Sequence, residues 1–113
     1  MSDGPERIIA LVVRVATPGQ PAFQLRKGER GISVFDPMAT EPPLSEEEIL
    51  AAFRPGSVVL YRPTAVLEEH GLVVLPTPGA DALPERLRLA HREIAPGPGM
   101  DRAAFKAALR NLE

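Results

Sequence analysis

Residues 7–16 read RIIALVVRVA, ten positions dense in β-branched side chains with a single cation, Arg14, inside the apolar run. Valine and isoleucine are stiff at χ1 and pack well on a pleated surface, and the run is short, so it reads as a buried β-strand. Pro18, Gly19 and Pro21 end it. Outward from this strand the chain is punctuated at short intervals. Residues 22–26 (AFQLR) alternate apolar and polar positions and predict a second, half-exposed strand. Residues 32–35 (ISVF) predict a third, stopped by Asp36 and Pro37, and residues 37–44 read as loop. Ser45 followed by Glu48 fits a capping box, and Ile49, Leu50 and Phe53 give a helix of two to three turns its apolar face. Residues 57–61 (SVVLY) and 72–75 (LVVL) predict strands, while residues 64–70 suit either a helical turn or a strand. Residues 87–94 (LRLAHREI) alternate and predict a strand that carries His91 and Glu93 on the face of Leu87 and Leu89. After the corner at 96–99, Asp101 caps a helix whose Phe105, Ala108, Leu109 and Leu112 recur at helical spacing.

Six predicted strands and two short-to-medium helices make an α+β domain built on a compact, strongly curved mixed sheet. The length, 113 residues, suits one domain over 1–113, with a flexible N-terminus at 1–6. Thirteen prolines spread along the chain exclude a long-helix bundle or coiled coil, because proline breaks helix interiors and removes a ladder donor.

The absence of cysteine excludes disulfides, thiolate metal sites and a cysteine nucleophile. Two histidines, His70 and His91, argue against a multi-histidine metal site, so no metal ligands are assigned. No apolar run is long enough to span a membrane, and the start lacks a signal-peptide pattern, which implies cytoplasmic synthesis. The net charge of −2 gives no support for general nucleic-acid binding. Its distribution is uneven. Residues 5–30 and 84–110 are cationic on balance, and residues 36–69 carry seven acidic side chains against two arginines. Arginine outnumbers lysine 11 to 2, a ratio that suits fork-like recognition of phosphate but that GC-rich coding also produces.

Phosphate-loop, nucleophile-elbow and zinc-protease motifs are lacking. Three features remain, each with a plain alternative. Arg14 is either an edge residue facing water or a guanidinium held for a phosphate or diphosphate. Ser33 is either a surface hydroxyl or one that positions a substrate. His91 is either a half-buried structural histidine or, with Glu93 two positions on, half of a paired site. In that site the carboxylate binds ribose hydroxyls or supports positive charge developing on a sugar.

These segments also resemble a known family. LVVR at 11–14, GISVFD at 31–36 and the block from LVVLPTPGAD to the terminal helix at 72–112 are similar to the Tse-type effector toxin of type VI secretion systems, which has an ADP-ribosyltransferase-like fold. The matching positions are Arg14, Ser33, Pro76 with Gly79 and Asp81, His91, and Met100 with Arg102; residues 37–71 have no counterpart. The resemblance implies a cleft that takes NAD as substrate, in an NAD-dependent ADP-ribosyltransferase or NAD glycohydrolase. It also implies toxicity in the cytoplasm of bacterial cells through an unidentified intracellular target, and neutralisation by a cognate immunity protein. By the same resemblance Arg14 holds the NAD diphosphate or nicotinamide ribose phosphate, Ser33 supports the nicotinamide side, and His91 hydrogen-bonds a ribose hydroxyl. Ser33, His91 and Glu93 are the catalytic candidates, Glu93 on strand geometry alone. Two other readings compete: a non-enzymatic protein-binding module on the same fold, and an RNA 2′-phosphotransferase-like enzyme.

Overall fold

A computed structural model describes residues 10–113. The flexible segment expected at 1–6, and the start of the strand expected from residue 7, lie outside the described residues. Among the described residues there are five strands and four helices: β1 (Leu11–Ala16), β2 (Ile32–Phe35), α1 (Glu46–Leu50), β3 (Val58–Pro63), α2 (Thr64–Glu69), β4 (Leu72–Leu75), α3 (Glu85–Ala90), β5 (His91–Pro96) and α4 (Arg102–Arg110). The strands form one open sheet in the order β3-β1-β2-β5-β4. Every pairing is antiparallel, so the expected mixed sheet is corrected.

Alternation along the strands sorts the core into two halves. Val12, Ile32, Val34 and Ile94 face Leu67 of α2 and Phe105, Leu109 and Leu112 of the α4 region. Val13 and Phe35 face the other way, toward Ile49 of α1 and Leu87 and Ala90 of α3. Helices thus cover both faces. Ser45 caps α1 by accepting the Glu48 N–H at 3.1 Å, and Asp101 caps α4 by accepting the Ala104 N–H at 2.8 Å, as the sequence predicts.

Three expectations are corrected. Residues 22–26 form turns and irregular chain, not a strand. Ala22, Phe23 and Leu25 are buried under the sheet, while the N–H groups of Ala22 and Phe23 donate to the Glu113 carboxylate at 2.8 and 2.6 Å. Those two donors are taken by a side chain and are lost to a ladder. Residues 87–90 belong to helix α3, and the strand begins only at His91. Leu87 and Ala90, three apart, are buried together, whereas Leu89 is 61% exposed. Leu87 and Ala90 make one helical face, which the Leu87/Leu89 alternation does not follow. The helix count rises from two to four, because α3 is added and 64–70, open to either assignment, is helical over Thr64–Glu69.

Loops are held by arginine side chains. Arg62 donates to the Leu112 carbonyl at 2.6 Å and lies over the Phe23 ring. Arg86 donates to the Pro42 carbonyl at 2.7 Å, Arg92 to His91 at 2.8 Å, and Arg102 to Glu29 and Arg26 at 2.7 and 2.8 Å. Arg86 also grips Glu48 through two hydrogen bonds, of 2.6 and 3.1 Å, and so ties α3 to α1. Close backbone approach matters at Gly97, where a Cβ would collide with the Gly71 carbonyl oxygen.

Two outcomes follow. Gly97→Ala should destabilise the domain by about 1–3 kcal/mol, read as a lowered urea midpoint, since backbone on both sides must move. The Arg86 hydrogen bonds hold the Glu48 carboxyl below its ordinary value, against an opposing effect of burial. A depressed carboxylate contributes stability above its unfolded pKa, ~4.3, and loses it as pH falls through the folded value. Glu48→Gln should therefore lower Tm at pH 7, with the gap from the parent closing in melts taken on the acid side of that value.

Candidate functional site

β1 runs alongside β3 from Leu11↔Pro63 to Ala16↔Val58, but it meets β2 in register only at Val13↔Phe35. Beyond that pair the two strands part. The opening leads into a cleft of about 240 Å³, in which Arg14, Ser33 and His91 lie among Val15, Phe35 and Phe53. Ala80 and Leu83, from the segment before α3, complete the wall.

By alternation Arg14 belongs to the Val12 face, yet it borders this cleft because its side chain sits where the strands separate. Its Nε donates to the Ala22 carbonyl at 2.7 Å and one terminal nitrogen donates to the Ser33 carbonyl at 2.9 Å. The guanidinium thus takes the place of missing ladder partners, a structural part that neither sequence alternative for Arg14 contained. It has no carboxylate within 4.0 Å among the described residues. Burial pushes it below its ordinary value, Arg26 adds to that, and Glu29 and Glu113 act against it. A half-buried cation with donors to spare is suited to an anion.

His91 stands at the change from α3 to β5 and opposite Phe35 across the ladder. Its ring meets the Phe35 ring edge-on, with centroids 5.7 Å apart. Its Nδ1 lies 3.0 Å from the Thr77 carbonyl oxygen and 3.2 Å from the Thr77 hydroxyl. A carbonyl can only accept, so the contact requires a proton on Nδ1, and in that tautomer the lone pair is on Nε2. The ligand group that Nε2 suits is therefore a donor such as a hydroxyl. Ser33, on the same sheet face as His91, is exposed at the cleft.

Glu93 pairs with Ser33 across the ladder, and so shares the His91 face, as the two-residue spacing predicts. The expected common face with Leu87 and Leu89 does not exist, because those residues are helical. The Glu93 side chain is folded over Gly31, where a Cβ would stand 2.5 Å from its Cγ and 2.6 Å from Oε2. It does not line the cleft. The arrangement therefore brings Arg14, Ser33 and His91 together and leaves the Glu93 carboxylate beside them.

Phe53, Thr77, Ala80 and Leu83 escaped the sequence reading as site residues. The Pro76 and Pro78 that flank Thr77 were the available signal, since they stiffen the loop that carries the carbonyl to His91. Of the other positions in the resemblance, Asp81 is exposed, Met100 packs against the Val12 half of the core, and Arg102 holds the 26–29 turn. No group of three or more histidine, aspartate or glutamate side chains that could hold a metal ion occurs among the described residues. Likewise, no helix among them is long and apolar enough to cross a membrane. Comparison with protein-family models, with curated proteins and with solved structures finds no match.

The tautomer is directly measurable. With only two histidines in the chain, ¹⁵N-histidine labelling should show the His91 ring protonated at Nδ1 near neutral pH, and Thr77→Val, which keeps the carbonyl, should leave that pattern intact. An Nε2-protonated ring would contradict the geometry.

Proposed function

We propose that this chain is an NAD-directed toxin domain whose cleft takes the nicotinamide–ribose end of the dinucleotide. The observation that carries the reading is the meeting of Arg14, Ser33 and His91 in one aromatic-walled cleft, from segments nineteen and more residues apart in sequence. A volume of about 240 Å³ falls below the ~300–1,000 Å³ of pockets that enclose a whole ligand, so one ring with part of its ribose enters and the diphosphate lies outside, toward Arg14. The rings of Phe35 and Phe53 give the nicotinamide an apolar wall, and the His91 Nε2 accepts a ribose hydroxyl.

In the reaction the bond between ribose C1′ and the nicotinamide nitrogen breaks. Its electron pair leaves with nicotinamide, which becomes neutral. An acceptor oxygen, of water or of a target, bonds to C1′ and releases one proton. The protein's part is orientation and electrostatic support. A carboxylate facing C1′ is not required, which agrees with Glu93 lying over Gly31. The ADP-ribosyltransferase-like fold, action inside bacterial cells and neutralisation by a cognate immunity protein belong to this same proposal and rest on the sequence resemblance.

Inducible expression in bacteria, followed for growth and for NAD content, tests it. Growth should stop as NAD falls. His91→Ala or Ser33→Ala should reduce NAD loss at least ~100-fold, in the range typical of lost positioning and proton-handling groups. Glu93→Gln should leave it within about threefold, below ~1 kcal/mol in barrier. Growth arrest with NAD intact would replace this reading by a non-enzymatic one.

A further inference from the structure

The side of the molecule away from the cleft carries a second concave feature. A groove of about 430 Å³ runs between α4 and the 21–25 segment, walled by Pro21 and Leu25 on one side and by Lys106 and Arg110 on the other. Arg102, Lys106 and Arg110 are spaced by four, so they form one exposed stripe along the flank of α4, beside buried Phe105 and Leu109. Like charges four apart on a helix repel, so the stripe costs stability where it stands. Neither Lys106 nor Arg110 has an acidic partner among the described residues. The two hydrogen bonds from Arg102 to the 26–29 turn also bring exposed Arg26 and Lys27 to the near end of the stripe. Two cationic segments more than seventy residues apart thus become one surface on a chain whose net charge is −2.

We propose that this groove and stripe bind an acidic polypeptide segment of a partner protein. Its carboxylates pair with Lys106 and Arg110, and an apolar side chain between them enters against Pro21 and Leu25. Charge complementarity selects the acid, and the apolar wall selects a polypeptide over a nucleic acid. Phe23 is only 1% exposed and offers no face on which a base could stack. The groove shares no lining residue with the proposed NAD cleft.

Fluorescence anisotropy of a labelled glutamate-rich peptide with leucine at helical spacing tests this on the full chain. The expected result is saturable binding that weakens as salt rises, and that weakens at least about tenfold in K106E/R110E. The neutral K106A/R110A should lie between the two. Circular dichroism checks that both variants keep the fold, which exposed positions allow. The same peptide with glutamine for glutamate should bind more weakly. Absence of peptide binding, or binding unchanged by charge reversal, overturns the proposal. So does a single-stranded oligonucleotide or an anionic phosphatidylglycerol vesicle that binds the groove more tightly than the peptide does. NAD loss in cells expressing K106E/R110E should match the parent, so a failure here is distinguishable from a failure of the cleft assignment.

Discussion

Two neighbouring strands of this sheet come apart after a single register pair, and one guanidinium occupies the place where they separate. Arg14 joins the Ser33 carbonyl of β2 to the Ala22 carbonyl of the segment beneath the sheet. Without it, the two carbonyls bordering the opening would lose this partner, the part-buried Ala22 carbonyl at the greater cost. The rest follows from that bridge. Ala22 and Phe23 are held from one side by Arg14 and from the other by the Glu113 carboxylate, so the buried 22–25 segment connects the sheet to the end of α4. On the opposite face the same parting of strands leaves the cleft open.

Arginine has a wider structural use in this protein than its charge suggests. A chain with thirteen prolines has many corners and short ladders, and its loop carbonyls need donors from elsewhere. Arg14, Arg62, Arg86, Arg92 and Arg102 each supply them, often two at a time. A planar fork with five N–H groups can span two carbonyls, which a lysine ammonium does less well. The excess of arginine over lysine thus has a structural cause, one that neither phosphate recognition nor codon bias describes. Lys106 and Arg110 of the α4 stripe stand outside this use, whereas Arg102 at its end belongs to it.

Much of the fold was legible in local sequence. ISVF, LVVL, the Ser45 cap and the Asp101-capped helix needed only alternation, helical spacing and a side-chain oxygen in the right place. LRLA was not legible, because its apolar residues satisfy a strand period and, with Ala90, a helical one; burial of Leu87 with Ala90 and exposure of Leu89 decide between them. AFQLR failed for a different reason. Its alternation is real, but its first two backbone donors are taken by Glu113, about ninety residues away, which no local window contains. At the site, Arg14, Ser33 and His91 could be singled out as chemically unusual. The direction of the Glu93 side chain could not, because it depends on the space above Gly31, the residue just before the neighbouring strand β2.

By itself the sequence determined which segments pack and which turn, where two helices start, and that Arg, Ser and one His are the reactive groups on offer. These are matters of period, capping and composition, all local. The tertiary structure decided that every strand pairing is antiparallel, that β1 and β2 part at Val13↔Phe35, and that the parting places Arg14 beside Ser33 and His91. It also decided which nitrogen of His91 holds the proton, through a carbonyl fourteen residues back. Hydrogen-bond partners and side-chain space are settled between distant segments, so only the folded chain could assign them.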